Sequence, residues 1–202
     1  MRRRAKEKKE RALNEKLFLK PERCSSHKCV MVRRPFPPGQ HGQKRRRRPS
    51  EYARQLKEKQ KIAIVYGLTN KQMANLFKEH AGDPKKIVSI LEKRLDTVVF
   101  HLAFSPSQRM ARQAVNHGHI MVNGRKVDIP SYQVEEGDTI TIRPQSRDIG
   151  LFDDLDIRLK KHEPPEWLKL NKDKFEGKCV GQPSEDAILP FDINLVGEFY
   201  SR

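Results

Sequence analysis

The sequence predicts an α+β protein that is mainly helical, with helical N- and C-terminal parts and a module of two helices and a small antiparallel sheet. Residues 87–102 carry leucine, isoleucine and valine at helical spacing, which indicates a buried helical stripe. Asn123-Gly124 is a strong hairpin signal, and residues 139–143 alternate apolar and polar side chains as a strand does. We expect residues 84–149 to form the module.

Positive charge is concentrated at the start of the chain. The 202 residues include 42 Lys or Arg against 26 Asp or Glu, which gives a net charge of +16. Residues 1–50 hold 18 basic and 4 acidic side chains, whereas residues 150–202 are slightly acidic. This asymmetry is typical of a basic arm that binds a polyanion and is attached to folded parts. The first quarter of the sequence therefore predicts a nucleic-acid partner.

Residues 1–49 predict a basic extended arm and a proline-rich strap. Pro35, Pro37 and Pro38 exclude a helix or a central strand there. The arginine fork matches phosphate oxygens, so the strap can place its cations on a nucleic-acid backbone without a protein core beneath it. The residues of this segment predicted to bind nucleic acid are Arg33, Arg34, His41, Lys44, Arg45, Arg46, Arg47 and Arg48.

Residues 50–83 predict a helical domain of two packed helices. Ser50 stands as the N-cap of the first helix, and Thr69 with Gln72 forms a capping box at the start of the second. We expect residues 150–202 to complete this domain. The exposed side of the first helix offers three more cations to a nucleic acid, namely Arg54, Lys57 and Lys61.

The module is predicted to contain one long helix and one short helix. The long helix begins at Asp83-Pro84 and leads into the short one. Ser105 is the predicted N-cap of the short helix, with Pro106 at its first position, and the helix runs to about His117. Gly118 supplies a left-handed C-cap before the hairpin.

The short helix has an apolar face that packs and a polar face that is offered to a partner. Residues spaced at i, i+3, i+4 and i+7 share the polar face. We expect cations of the helix and the hairpin to converge beside one groove. The residues of the module predicted to bind this partner are Ser107, Gln108, Arg109, Arg112, Gln113, His117, His119, Asn123, Arg125 and Lys126.

Cys24 and Cys29 form a C-x4-C pair, with His27 and His41 close in sequence. Four-ligand zinc sites generally contain a second close pair of ligands, and Cys179 is too far along the chain to provide one. We therefore expect no cofactor and no metal, with Cys24 and Cys29 as the residual candidates for zinc. Three cysteines, an odd number, argue against a disulfide framework and for a reducing compartment.

A membrane location is not expected. A bilayer span requires about twenty apolar residues, and the uncharged stretches of this sequence are all shorter than that. The N-terminal arginines are not followed by the apolar core of a signal peptide. The sequence therefore predicts a soluble protein.

Several short motifs of the module match a known pattern. They are Arg94-Leu95-Asp96, Ser107-x-Arg109-x-Ala111-Arg112-Gln113, His117-Gly118-His119-Ile120-x-Val122-Asn123-Gly124, Pro130-Ser131-Tyr132 and Gly137-Asp138. Together they resemble the RNA-binding module named after the fourth protein of the bacterial small ribosomal subunit. Residues 33–43, 56–67 and 198–202 are similar to that ribosomal protein family itself. The resemblance covers residues 17–202.

Membership of this family implies a structural component of the small ribosomal subunit and not an enzyme. The family binds small-subunit ribosomal RNA directly and helps nucleate assembly of the subunit body. It is also associated with translational accuracy through neighbouring proteins, notably the fifth of the small subunit. Some members repress their own messenger RNA. We expect the same partners here, and no membrane.

Two positions depart from the family pattern. Members with structural zinc carry a C-x2-C pair where this chain has Glu7 and Glu10, so only half of that site is kept. We expect both carboxylates to pair with basic neighbours. Ala103 stands where many relatives have a glycine, which we expect to alter the start of the following helix slightly.

Two other functions are alternatives. A stand-alone RNA-binding regulator would use the same module. An RNA-modifying enzyme of the pseudouridine synthase type is suggested because an Arg-Leu-Asp triplet carries the catalytic aspartate of many such enzymes. Here Asp96 beside Arg94 predicts a local salt bridge or cap, and no separate catalytic domain of sufficient length remains.

Overall fold

The computed structural model describes residues 6–44, 48–80, 83–147, 149–160, 162–183 and 191–201. These residues form ten α-helices and one five-stranded antiparallel sheet, which confirms the predicted α+β, mainly helical class. They group into two compact units. Unit 1 contains the described residues of 6–84 and 191–201, and unit 2 contains those of 85–183.

The elements follow the chain in this order. The helices are α1 (Lys6–Leu13), α2 (Pro21–Cys24), α3 (Val30–Arg33), α4 (Glu51–Val65), α5 (Asn70–Glu79), α6 (Pro84–Glu92), α7 (Leu95–His101), α8 (Gln108–Asn116), α9 (Leu155–Lys160) and α10 (Ile193–Tyr200). The strands are β1 (Ile120–Val122), β2 (Arg125–Lys126), β3 (Thr139–Ile142), β4 (Leu168–Asn171) and β5 (Glu176–Cys179). The strand order across the sheet is β2-β1-β3-β5-β4.

In unit 1, α4 packs against α10. Ile62 of α4 and Val196 of α10 are fully buried. The Tyr52 ring lies 5.6 Å from the ring of Phe199. A helix of eight residues such as α10 is too short to be stable alone, so its apolar side depends on this packing.

Both predicted N-caps of unit 1 are present. The Ser50 hydroxyl accepts the backbone N–H of Ala53 at the start of α4. At the start of α5, the Thr69 N–H donates to Gln72 Oε1 at 2.9 Å, and the Gln72 N–H donates to Thr69 Oγ1 at 3.3 Å. These helices therefore begin where the local sequence predicts.

The predicted single long helix is wrong, because α6 and α7 are separated at Lys93 and Arg94. The Leu95 N–H donates to the Tyr132 carbonyl at 2.8 Å, and the Val134 N–H donates to the Lys93 carbonyl at 2.9 Å. A segment distant in sequence thus supplies hydrogen bonds at the break. The apolar periodicity continues across it because both helices bury residues in unit 2.

The residues after 150 are divided differently from the sequence prediction. The sequence predicts that residues 150–202 complete the helical domain of residues 50–83. In the structure, the described residues of 150–183 belong to unit 2, and those of 191–201 belong to unit 1. Unit 2 therefore includes residues that the sequence prediction assigns to the helical domain.

Strand β5 explains this difference. It pairs with β3, with Gly177 opposite Ile140, and so extends the sheet of the module. A Cβ atom at Gly177 would lie 2.3 Å from Cδ1 of Leu102, so a side chain there would collide with the end of α7. The pairing of β3 with β5 joins residues distant in sequence, so no local sequence pattern predicts it. The close approach of Leu102 requires a glycine at position 177.

Candidate nucleic-acid interface

Helix α8 begins two residues later than predicted. Its N-cap is Ser107, whose hydroxyl accepts the backbone N–H of Met110 at 3.3 Å. Ser105, the predicted cap, is buried and donates its hydroxyl to the Ser107 carbonyl at 3.4 Å. Ser107, a predicted RNA contact, is therefore buried at a helix start.

The polar face of α8 is exposed as predicted. Arg109, Gln113 and Asn116 are exposed, whereas Ala111 and Ala114 on the opposite side are fully buried. These small residues let α8 pack closely on the core of unit 2. The face therefore has a rigid support.

Arg112 differs from its neighbours on α8. Its side chain is half-buried, and its Nη1 lies 3.3 Å from Oδ2 of Asp96. Burial lowers the pKa of Arg112 and the nearby charge of Arg94 adds to this, while the Asp96 carboxylate opposes both. Arg112 is thus bound within the protein through at least one of its nitrogens.

Asp96 joins the start of α7 to α8. Its carboxylate is fully buried and accepts hydrogen bonds from Nε of Arg94 at 3.0 Å and from Nη2 of Arg94 at 2.8 Å. The predicted local salt bridge is confirmed. A second link is made by Gln108, whose Nε2 donates to Oγ1 of Thr97 at 2.7 Å. Gln108 and Arg112, both predicted RNA contacts, therefore fix the orientation of α8.

The predicted hairpin follows α8. Gly118 ends the helix with φ of +70°. Asn123 and Gly124 have φ of +50° and +76°, which is the arrangement of a two-residue hairpin turn with both central residues left-handed. Val122 stands opposite Arg125 in the register. The two basic residues of β2 are exposed to solvent.

The hairpin is tied to β3 by one side chain. Asn123 donates from Nδ2 to Oδ1 of Asp138 at 2.7 Å, and its Oδ1 accepts the Thr139 N–H at 2.9 Å. The side-chain amide of Asn123, a residue predicted to bind RNA, therefore forms hydrogen bonds within the protein at this turn. The position of Arg125 and Lys126 is fixed by these bonds.

The two histidines of the module differ in environment. His117 is exposed, whereas His119 is partly buried, with Nδ1 3.0 Å from Oγ of Ser146. Burial lowers the pKa of His119, and the charges of His117 and Arg143 lower it further. The lowered pKa favours the neutral imidazole of His119, which offers a hydrogen bond and no positive charge.

In unit 1 the predicted contacts of the strap lie at the surface. The exposed members of the predicted set are Arg33, Arg34, His41, Lys44 and Arg48. Arg45, Arg46 and Arg47 lie outside the described residues. Helix α4 adds Arg54, which is exposed, and Lys57, which is half-exposed.

Lys61, also predicted to bind RNA, is paired within unit 1. Its ammonium forms ion pairs with Glu15 and with Glu58, the second at 2.8 Å. Burial alone lowers the pKa of Lys61, but the two carboxylates outweigh it, so the pKa is raised. The charge of Lys61 is thus compensated inside the unit.

A groove of about 510 Å³ opens on unit 1 between α1, α3 and the strap. The residues lining it are Glu7, Lys8, Arg11, Val30, Arg33, Arg34 and Pro38. Lys8 and Arg11 are absent from the sequence prediction. Their spacing of i and i+3 on α1, which places both on one helix face, is the signal that could have identified them.

Arg11 holds the strap against α1. Its Nε donates to the Phe36 carbonyl at 2.9 Å, its Nη2 donates to the Pro37 carbonyl at 3.3 Å, and its guanidinium lies 5.1 Å from the centre of the Phe36 ring. Gly42 is required in the same turn, because a Cβ atom there would lie 2.0 Å from the Pro37 oxygen. The strap is therefore folded and not merely extended.

The cysteine pair, the residual candidate for zinc, consists of two free thiols. Cys24 and Cys29 are buried, and burial raises the pKa of the Cys24 thiol, with the Glu10 and Cys29 charges adding to this. Across the described residues, no group of three or more His, Cys, Asp or Glu side chains is placed to hold a metal ion.

The two glutamates at the lost zinc positions have different roles. Glu7 pairs with Arg23 at 2.9 Å, as expected. The expectation that Glu10 pairs with a basic residue is wrong. Its Oε1 accepts the backbone N–H groups of Leu17 and Leu19 and lies 3.8 Å from Sγ of Cys24.

None of the helices in the described ranges is long and apolar enough to span a bilayer.

Comparison with known proteins gives two matches to family models and several full-length relatives. Residues 2–96 match the ribosomal protein S4/S9 N-terminal domain, and residues 93–140 match the S4 domain. The chain is 50% identical over 193 residues to small ribosomal subunit protein uS4 of Thermus thermophilus, which covers 93% of this chain and 92% of the relative. It is 47% identical over 193 residues to the protein of the same name from Halothermothrix orenii, with the same coverage.

Proposed function

The chain belongs to the family of small ribosomal subunit protein uS4, and from this premise we infer that it is a structural, RNA-binding component of the small ribosomal subunit. It acts in translation by binding ribosomal RNA and not by catalysis. Both the N-terminal domain and the S4 domain of the family are present, and its relatives share nearly its whole length.

The groove of unit 1 is the observation that carries the binding mechanism. Four cationic side chains line it together with one carboxylate, Glu7, which is paired with Arg23. We propose that a stretch of RNA backbone lies along this groove, with phosphates on Lys8, Arg33 and Arg34. Neutralising phosphates releases condensed counterions, which supplies affinity without sequence recognition.

Unit 2 is proposed to recognise the shape of folded RNA. Double-helical RNA presents phosphates and 2′-hydroxyls across a wide minor groove, so a rigid face that matches their spacing can recognise it. Arg109 and Gln113 on α8 and the two basic residues of β2 provide exposed donors. Gln108 and Arg112 keep this face in place through Thr97 and Asp96.

The groove is tested by replacing Arg33 and Arg34 together with alanine. Binding to a transcript of the small-subunit ribosomal RNA is measured by filter retention over a series of salt concentrations. We expect the slope of log affinity against log salt to become shallower by about 2, since each phosphate contact contributes about one unit. Thermal melts are expected to stay unchanged, because both side chains are exposed.

A matched control removes the same charge elsewhere on unit 1. Lys71 and Lys78 are exposed on α5, and replacing both with alanine should leave the salt slope within about half a unit of the parent. Equal slopes for the two double variants would contradict the groove assignment. A parent protein that fails to bind the transcript at low salt would contradict the proposed function itself.

The finer roles of the family are proposed for this chain as well. We propose that it binds early in assembly of the subunit body, contacts the fifth small-subunit protein, supports translational accuracy and binds its own messenger RNA, all in the cytoplasm. Omitting the chain from a reconstitution should then block later proteins from joining. A cross-link to the fifth protein in purified subunits would test that contact.

The alternative of an RNA-modifying enzyme is not supported. Asp96, the residue that would act on a uridine, is fully buried and bound by Arg94 through both of its oxygens. A stand-alone regulator is also not favoured, since the similarity to uS4 extends over 93% of the chain and is not confined to the S4 domain.

A further inference from the structure

Phe18 has an unusual backbone and an unusual exposure. Its φ is +49°, in the left-handed region that bulky L-residues rarely adopt. Its side chain is 53% exposed, whereas Leu19 beside it is buried. A large aromatic ring held outward on a strained backbone is unfavourable for the isolated protein, so it indicates a functional site.

Glu10 holds the backbone on both sides of Phe18. It is 2% exposed, and its Oε1 accepts the Leu17 N–H at 3.1 Å and the Leu19 N–H at 3.2 Å. A buried carboxylate is costly unless hydrogen bonds satisfy it, and these two bonds flank the strained residue. The chain therefore uses a buried charge to keep Phe18 in this conformation.

The surroundings of Phe18 are cationic. Lys16 is exposed and Lys20 is half-exposed, each two residues away in the chain. The nearby carboxylate of Glu15 is compensated by Lys61. Among the described residues, no aromatic ring or cation is stacked on the Phe18 ring, which leaves it accessible.

We propose that Phe18 stacks on an unpaired base of small-subunit ribosomal RNA while Lys16 and Lys20 contact the phosphates on either side. An aromatic ring between cations matches the two parts of a single-stranded nucleotide, a flat base and a charged linker. The inference rests on the proposed function and adds a specific contact to it, outside the groove of unit 1.

The experiment compares Phe18→Ala with the parent in binding to the ribosomal RNA transcript. One base stacked on an aromatic ring accounts for roughly 5- to 150-fold in affinity, so we expect a loss in that range. The salt slope should not change, because no charge is removed. Val32→Ala, which shortens another exposed apolar side chain of unit 1, should bind RNA like the parent.

A second variant, Phe18→Trp, gives a direct signal for stacking. The sequence has one tryptophan, Trp167, which is buried, so its emission can be subtracted using the parent. We expect emission of the introduced tryptophan to be quenched on addition of RNA. Phe18→Gly, which removes the ring and the backbone strain together, should be at least as stable as the parent in thermal melts.

Three results would overturn the inference. The first is RNA affinity of Phe18→Ala equal to that of the parent, which would leave the proposed function intact. The second is normal binding of this variant to isolated RNA combined with loss from small subunits, which would identify a neighbouring protein as the partner. The third is absence of RNA binding by the parent, in which case the proposed function fails first.

Discussion

Arginine serves two different purposes in the two units. On unit 1, Arg33 and Arg34 are exposed along a groove, with their charges available to a ligand. In unit 2, Arg94 and Arg112 share the buried carboxylate of Asp96. The comparison teaches that a basic residue in an RNA-binding protein is either a ligand for phosphate or an internal support. Burial and pairing, and not residue type, distinguish the two.

This difference suggests a division of labour. In the proposed function, the groove and strap supply charge for phosphates, and the face of α8 supplies a fixed geometry. The sequence groups Arg109 with Arg112 as equivalent RNA contacts on one helix face. The structure separates them, because Arg109 is exposed and Arg112 is bound to Asp96.

The largest effect is expected for Asp96→Ala. The change leaves Arg94 and Arg112 without their shared carboxylate, and breaking a buried ion pair in this way costs about 3–5 kcal/mol of the free energy of unfolding. Urea denaturation followed by Trp167 fluorescence reports on unit 2, where this tryptophan is buried.

Asp128→Ala is the control for that change. Its carboxylate is exposed and lies 4.0 Å from Nζ of Lys126, so its loss should alter the free energy of unfolding by less than about 0.5 kcal/mol. A similar loss of stability in the two variants would contradict this expectation, because the buried ion pairs of Asp96 would then stabilise unit 2 no more than an exposed ion pair does.

An intermediate effect on stability is expected when Arg112 and Arg109 are replaced one at a time. Arg112→Ala should lower the free energy of unfolding by about 1–2 kcal/mol, since a half-buried hydrogen bond to a carboxylate is lost. Arg109→Ala should change it by less than about 0.5 kcal/mol and still weaken RNA binding. Melts and filter binding on both variants would test this, and equal loss of stability would return Arg109 to a structural role.

The smallest effect concerns Ala103, which directly follows Leu102, the C-cap of α7. Its φ is +56°, a conformation that glycine adopts without strain. Ala103→Gly should raise the free energy of unfolding by about 0.5–1 kcal/mol and leave RNA affinity unchanged. Lower affinity in this variant would indicate that the strain helps to place α8.

Features governed by neighbours in sequence were predictable. The capping box of Thr69 and Gln72, the stop at Gly118 and the turn at Asn123-Gly124 each depend on a few adjacent residues. The exposed set on α8 also followed from helical spacing, apart from Arg112. In all of these, the chemistry that determines the structure lies within one or two turns of chain.

Features governed by distant residues were not predictable. The break between α6 and α7 depends on a hydrogen bond from Leu95 to Tyr132, and the place of β5 depends on its pairing with β3. Likewise, the internal role of Arg112 depends on Asp96, sixteen residues away in sequence. The spacing of apolar residues along the sequence does not predict these long-range contacts, since the apolar pattern is the same with or without them.

The packing of α10 on α4 has a consequence for biosynthesis. Gln55 and Glu198, which share a hydrogen bond, are 143 residues apart. At about 5–20 residues per second, a translating ribosome needs roughly 7–30 s to pass from one to the other. During that time α4 has left the ribosome without its partner, whereas all of unit 2 has been made. Unit 2 is therefore expected to fold first, although unit 1 contains the residues that are made first.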